Sequence, residues 1–126
     1  MTAETALVAR LGSTAAVTAL VGARIYPMLV PQTAALPAIA YQKISPGFLS
    51  TLRRTLGLAG PRIQVNSWAS SYKDAKAVAR AVRNSLNGYD ANGVAALLID
   101  ERDLMNPDGP RHAVSQDYSI WVDEEL

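Results

Sequence analysis

Alternating and periodic apolar positions divide this chain into short helices and strands. The clearest strand signal runs from Arg62 to Trp68, where apolar and polar residues alternate. Directly after it, apolar residues recur at the helical spacing i, i+3, i+4, i+7 and i+11. They are Ala75, Val78, Ala79, Val82 and Leu86. The sequence therefore predicts a strand that leads into a long helix, capped by Ser70 or Ser71.

The N-terminal third predicts two short helices and then an extended segment. Thr2 can cap a helix that runs to Leu11, and a second helix ends at Gly22. The three prolines at positions 27, 31 and 37 exclude a helix and a central strand from the segment between. Residues 38–44, 94–104 and 114–122 have the composition of further strands.

These elements predict a single α+β domain over residues 1–126. We expect an antiparallel sheet of about four strands, built from two hairpins. The long helix should pack on one face, with a short helical segment at the N-terminus. Residues 46–60 are expected to form a long loop that is functional or mobile, and it carries Arg53 and Arg54.

Few residues offer catalytic chemistry. The chain has no cysteine, so disulfides, thiolate metal sites and a cysteine nucleophile are excluded. The single histidine, His112, lies beside Arg111 and next to a proline-rich turn. We find no nucleophile elbow, phosphate loop or dinucleotide fingerprint. We predict no catalytic residue and no cofactor, and we expect His112 to be a solvated loop residue.

An acidic cluster raises the alternative of a divalent-cation site. It consists of Asp100, Glu101, Asp103 and Asp108. The spacing does not match that of a calcium loop, and Pro107 interrupts it. In a strand, Glu101 and Asp103 would face one way and Asp100 the other. We predict no metal site and interpret the cluster as an exposed acidic edge that discourages unwanted strand pairing.

Charge is balanced overall but unevenly distributed. The formal net charge is +1. Eight basic residues and one acid lie between Lys43 and Arg83, whereas nine acids and two bases follow from Asn84 onward. The segregation fits ordinary solvated faces, or a positive face that meets the negative face of a neighbouring copy.

Cations on the long helix are the strongest candidates for a binding surface. They follow the spacing i, i+3, i+7 and i+10, opposite the apolar stripe. These four cations and two arginines of the predicted loop are the predicted partner-binding residues. They are Arg53, Arg54, Lys73, Lys76, Arg80 and Arg83. The alternative is a small nucleic-acid-binding or regulatory module that uses the same helix face. Trp68 and Tyr72, at the strand-to-helix junction, are interpreted as packing and capping groups.

Several short motifs follow one another along nearly the whole chain. Their order is Gly22-x-Arg24-Ile25-Tyr26-Pro27, Pro31-Gln32, Leu36-Pro37, Tyr41-Gln42, Arg62-Ile-Gln64-Val65-x-x-Trp68-Ala69 and Asp117-Tyr118-x-x-Trp121. This order resembles that of the small tail-completion, or tail-terminator, proteins of long-tailed bacteriophages and prophages. The resemblance does not show whether the protein belongs to the tail side or to the head side of the neck, the region where head and tail are joined.

The resemblance implies a ring, commonly of six copies, on the head-proximal end of the tail tube. Such a ring stops tube growth and gives the head a surface for joining. The implied partners are other copies of the chain, the major tail tube protein and a head-completion or connector protein, with DNA passing through the channel. The basic loop would reach a partner ring or line that channel.

The implied location is the tail-neck region of the virion, after synthesis in the cytoplasm of the bacterial host. No segment reaches the roughly 20 apolar residues that span a bilayer, and the N-terminus lacks the pattern of a signal peptide. We therefore expect a soluble, unprocessed product with no membrane partner.

Overall fold

Three helices and a six-stranded sheet make up the part of the chain that the computed structural model describes, residues 2–44, 62–104 and 111–122. The helices are α1 (Ala3–Gly12), α2 (Ala15–Val21) and α3 (Tyr72–Leu86). The strands are β1 (Ile25–Pro27), β2 (Ala38–Ile44), β3 (Arg62–Ala69), β4 (Asp90–Ala91), β5 (Val94–Leu104) and β6 (His112–Val122). The loop predicted over residues 46–60 lies outside the described residues.

The strand order is β1-β2-β3-β6-β5-β4. The two predicted antiparallel pairs, β2 with β3 and β5 with β6, are joined because β3 also pairs antiparallel with β6. The prediction of about four antiparallel strands was incomplete. A parallel β1 and a two-residue β4 extend the two edges of the sheet. Both are too short to produce an alternating pattern, and Pro27 is tolerated in β1 because that strand lies at an edge.

One face of the sheet carries all three helices. Leu7 and Leu11 of α1, Val17 of α2 and Val78 of α3 belong to one buried cluster with Ile63 of β3. The cluster also takes in Tyr118, Ile120 and Val122 of β6. The prediction assigned the long helix to one face and gave the N-terminal helical segment no place. In the structure α3 shares this face with α1 and α2.

The start of α3 follows from its sequence. The Ser71 side chain caps the helix by accepting a hydrogen bond from the Asp74 backbone N–H, at 3.2 Å. The five apolar positions predicted from the helical spacing are all buried. The chain leaves the helix through Asn87 and Gly88, and the φ of Gly88 is +81°, a conformation that glycine adopts without a steric penalty.

The opposite face of the sheet, which we call the open face, is covered at one end by the segment after β1. Val30 packs there against Ala38 and Ala40 of β2, and Trp68 contacts the same cluster. The guanidinium of Arg111 ties this segment to the start of β6 by donating to the backbone carbonyls of residues 31 and 32, at 3.2 and 3.0 Å. Trp68 is thus a packing group, as predicted.

The structure also tests the position predicted for the single histidine. His112 is the first residue of β6 and is exposed, so its predicted loop position was wrong although its solvation was right.

Within the described ranges, no single helix is long and apolar enough to cross a membrane. Only α1 and α2 taken together, a pair bent by 84°, reach that length and composition.

Candidate functional site

Carboxylates of β5 hold two of the four cations on α3. The Lys76 ammonium lies 2.8 Å from an Asp103 carboxylate oxygen and 4.0 Å from Glu101. Arg83 lies 3.7 Å from Glu101. The basic face of the helix therefore borders the acidic strand of the same chain, and the two charged regions seen in the sequence neutralise each other at this point.

The strand register explains why these two carboxylates meet the helix. Glu101 pairs with Gln116 and Asp103 with Val114, both on the helix-bearing face, whereas Asp100 pairs with Asp117 on the open face. The predicted opposition of Asp100 to the other two is confirmed. A bulge between Leu98 and Asp100 sets this orientation, because one extra residue reverses the alternation of faces.

The carboxylates of the predicted acidic edge also form contacts within the chain. Asp103 accepts a hydrogen bond of 2.8 Å from the Tyr72 hydroxyl, and Lys76 lies 5.3 Å from the centre of the Tyr72 ring. Asp103, and after it Tyr72, raises the pKa of Lys76. The same contacts with Lys76 and Tyr72 lower the pKa of Asp103. Both groups keep their charge, and Tyr72 joins this pair rather than capping the helix.

A shallow cavity of about 280 Å³ lies between α3 and β5. It is lined by Lys76, Ala79, Arg80, Arg83 and Glu101. Beneath it, the buried Gln116 side-chain amide donates to the Ala79 carbonyl at 3.0 Å and to Glu101 at 2.7 Å, which fixes the position of that carboxylate. Arg80 is exposed, so its charge is the one in the cavity that no carboxylate of the described residues offsets.

The six predicted partner-binding residues thus fall into three groups. Lys73 and Arg80 are exposed and form no ion pair with any residue in the described ranges. Lys76 and Arg83 are already paired with β5. Arg53 and Arg54 lie outside the described residues.

A second charged cluster, which the sequence analysis missed, lies on the open face. The buried carboxylate of Asp117 accepts hydrogen bonds from Arg62 Nη2 at 2.6 Å and Nε at 3.2 Å, and from Arg102 Nη1 at 3.3 Å. Arg102 also contacts Asp100 at 3.1 Å. These contacts connect β3, β6 and β5 across the centre of the sheet. In the sequence, this cluster is indicated only by an acid, Asp117, within a predicted strand that is otherwise largely apolar. Its arginine partners could not be predicted, because they depend on strand order.

The charged side chains on α3 and β5 form a surface that can bind a charged partner. Among the described residues, no group of three or more metal-ligating side chains lies close enough to hold a metal ion. Burial raises the pKa of Tyr118, so its hydroxyl remains protonated and is not available as a base at neutral pH. The surface carries the exposed cations Lys73 and Arg80 on α3 and a row of carboxylates along β5.

Two comparisons with known proteins found a match. The model of one protein family, described as tail completion protein gp17, matches residues 5–123. Among solved structures, a chain from the virion of a native gene transfer agent particle matches with a TM-score of 0.65 and 18% sequence identity. The match covers 92% of this chain and 90% of that chain, and at this identity it shows a shared fold. No curated protein matches.

Proposed function

Because this chain belongs to the tail completion protein gp17 family, we propose that it closes the head-proximal end of the phage tail tube as a ring of identical copies. Family membership makes it a structural component of the virion tail with a role in tail assembly. The ring would end polymerisation of the tube and provide the surface on which the head is joined. Each copy would act as a single domain.

The observation that carries this proposal is the separation of charge across the sheet. No acidic residue occurs between Glu4 and Asp74, so the strands β1, β2 and β3 contain no carboxylate side chain. The acids of the sheet lie on β4, β5 and β6, with Asp90 at the far edge. A ring requires one surface of a copy to meet a different surface of the next. Contact between the half of the sheet that lacks carboxylates, where Lys43 of β2 is exposed, and the edge that carries Asp90 would bring opposite charges together.

Exposed cations on α3 are the proposed contacts with partners outside the ring. Lys73 and Arg80 are uncommitted among the described residues, so they remain free to pair with carboxylates of the tube protein or of the head connector. Arg53 and Arg54 are proposed to serve the same joining step, on the basis of their sequence alone.

Two double charge reversals test this proposal. Arg53→Glu with Arg54→Glu, and Lys73→Glu with Arg80→Glu, should each reduce the number of heads attached to tails, counted by electron microscopy of a phage complementation lysate. The matched control is Ala9→Glu with Ala16→Glu, which adds two acids at exposed positions of α1 and α2. Normal joining by both reversals, with the folded state intact, would refute the role of these cations.

Nucleic-acid binding through α3 remains the second candidate, but the structure favours it less. Two of the four cations that would contact phosphates are held by Glu101 and Asp103. Affinity for duplex DNA that falls steeply with salt would support this alternative. If the wild type and the Lys73→Glu and Arg80→Glu double variant bind duplex DNA with equal affinity, the α3 face is not the DNA-binding surface.

A further inference from the structure

Four large apolar side chains are exposed in two pairs on opposite sides of the sheet, one pair directly after the edge strand β1 and one pair on β5 beyond the two residues that pair with β4. Met28 and Leu29, directly after β1, are 62% and 79% exposed. Leu97 and Ile99 of β5 are 51% and 40% exposed. We name these the β1 patch (Met28 and Leu29) and the β5 patch (Leu97 and Ile99). Exposed apolar groups of this size mark interaction surfaces when they cluster.

Backbone geometry holds the β1 patch outward. The Leu29 N–H donates to the Pro27 carbonyl at 2.8 Å, which closes a three-residue turn around Met28. The φ of Met28 is +68°, a conformation that costs a side-chain-bearing residue about 1 kcal/mol. The Met28 N–H donates in turn to the Tyr41 carbonyl, which anchors the turn to β2.

The two patches differ in their neighbouring charges. On the β1 side, the exposed Lys43 lies two residues along β2 from Tyr41, whose carbonyl binds the Met28 N–H. Near the β5 patch, Asp100 follows Ile99 directly but contacts Arg102 at 3.1 Å. The other acid near this patch is the exposed Asp90 of β4, which pairs with Ala95, two residues from Leu97. Within the described ranges Lys43 and Asp90 form no ion pair. The charges beside one patch therefore complement those beside the other.

Their positions distinguish a ring from a dimer. The strands β1 and β5 are separated by four interstrand spacings, about 19 Å at ~4.8 Å per spacing. A two-fold dimer would bury one kind of patch against itself and would also bring like charges together. Head-to-tail association covers both patches in every copy of a closed ring.

We propose that the β1 patch of one copy binds the β5 patch of the next, with Lys43 facing Asp90. The occupant of each patch is thus a second copy of this chain. This inference rests on the proposed ring and adds to it the two surfaces that form the ring contact.

Cysteine cross-linking tests the pairing directly, because the natural chain has no cysteine. The variant Leu29→Cys with Ile99→Cys is oxidised on tail tubes assembled from the same phage's tube protein. A disulfide needs Cα atoms within about 7 Å, so the two new cysteines of one copy are too far apart to join. We expect a ladder of covalent oligomers up to the ring size, which reduction returns to monomer.

Three comparisons make the outcome decisive. Each single-cysteine variant, and the control Leu29→Cys with Ala16→Cys, should give no ladder. If wild-type rings form on the tubes but the Leu29–Ile99 pair gives no more product than the control, the pairing is wrong and the ring stands. If the wild type neither forms rings nor caps tubes, the proposed function fails.

A mixing experiment checks the same contact without oxidation. Leu29→Glu and Ile99→Glu should each abolish ring formation, since each damages one of the two surfaces. Mixed together, the two variants keep one intact surface each and should form a heterodimer that does not grow, measured by mass in solution. Rings of wild-type size from either single variant would overturn the proposal.

Discussion

Asp117 is expected to contribute more to stability than any other charged residue of the open face. Its carboxylate side chain is only 3% exposed, and one oxygen accepts two hydrogen bonds from Arg62 and one from Arg102. Replacing it with asparagine keeps the volume and removes the charge. The two arginines would then face a neutral amide at the centre of the sheet.

The size of the effect follows from these contacts. Hydrogen bonds to a charged group contribute about 1.5–3 kcal/mol each, and the lower end applies to Arg62 because its side chain keeps some contact with water. The more exposed Arg102 contact adds at most about 1 kcal/mol. Asparagine retains one acceptor, so we expect Asp117→Asn to lower the free energy of unfolding by about 2–3 kcal/mol.

Urea denaturation followed by fluorescence of Trp68 and Trp121 measures this change. With a slope of roughly 1.5–2 kcal/mol per molar, the midpoint should fall by about 1–2 M. The matched control is Asp100→Asn, because Asp100 binds the same Arg102 but is 51% exposed. A control loss of about 0.5 kcal/mol or less is expected for an exposed pair. If both variants lose the same amount, burial of Asp117 does not set the strength of its contacts, and the reasoning is refuted.

The remaining predictions concern backbone conformation, a surface ion pair and one buried amide. Gly88→Ala should destabilise the fold by about 1 kcal/mol because of its positive φ. Gly12→Ala, at the last residue of α1 with open space around it, should instead stabilise by up to about 0.5 kcal/mol, and chemical denaturation compares the two. The pKa of Asp103 is lowered and that of Lys76 is raised, so their pair stabilises the fold between about pH 4 and 10. The difference in unfolding free energy between the wild type and Lys76→Met should therefore shrink as the pH falls through the folded pKa of Asp103, and again as it rises through the folded pKa of Lys76. A difference that does not change with pH would contradict this prediction. Gln116→Leu should cost about 1–3 kcal/mol by removing the bonds to Ala79 and Glu101, and a neutral effect in thermal unfolding would count against that role.

Joining and ring formation need separate measurements, because the proposed surfaces differ. The α3 cations are proposed to contact other tail and head proteins, and the two apolar patches are proposed to contact copies of the chain. A variant that forms rings but joins no heads would identify the first kind of defect. A variant that stays monomeric on tail tubes would identify the second.

Local sequence determined the longer elements of this protein. The spacing of Ala75, Val78 and Val82 fixes the buried side of α3, and Ser71 marks its start, because both signals act within one or two helical turns. Alternation along β3 puts Ile63 and Val65 on one face, because side chains of a strand point to opposite faces in turn, and both residues are buried in the structure. The order of motifs along the chain was sufficient to identify the family.

Only the tertiary structure decided how these elements meet. β1 and β4 form because a neighbouring strand offers them hydrogen bonds, and nothing in three or two residues encodes that partner. The pairing of β3 with β6 brings Arg62 to Asp117, which lies 55 residues away along the chain. A single extra residue at Ile99 turns Glu101 and Asp103 toward α3, and this is why half of the predicted basic stripe is already occupied. Charge and periodicity are properties of the chain, whereas ion pairs and exposed patches depend on strand order and register, which long-range packing selects.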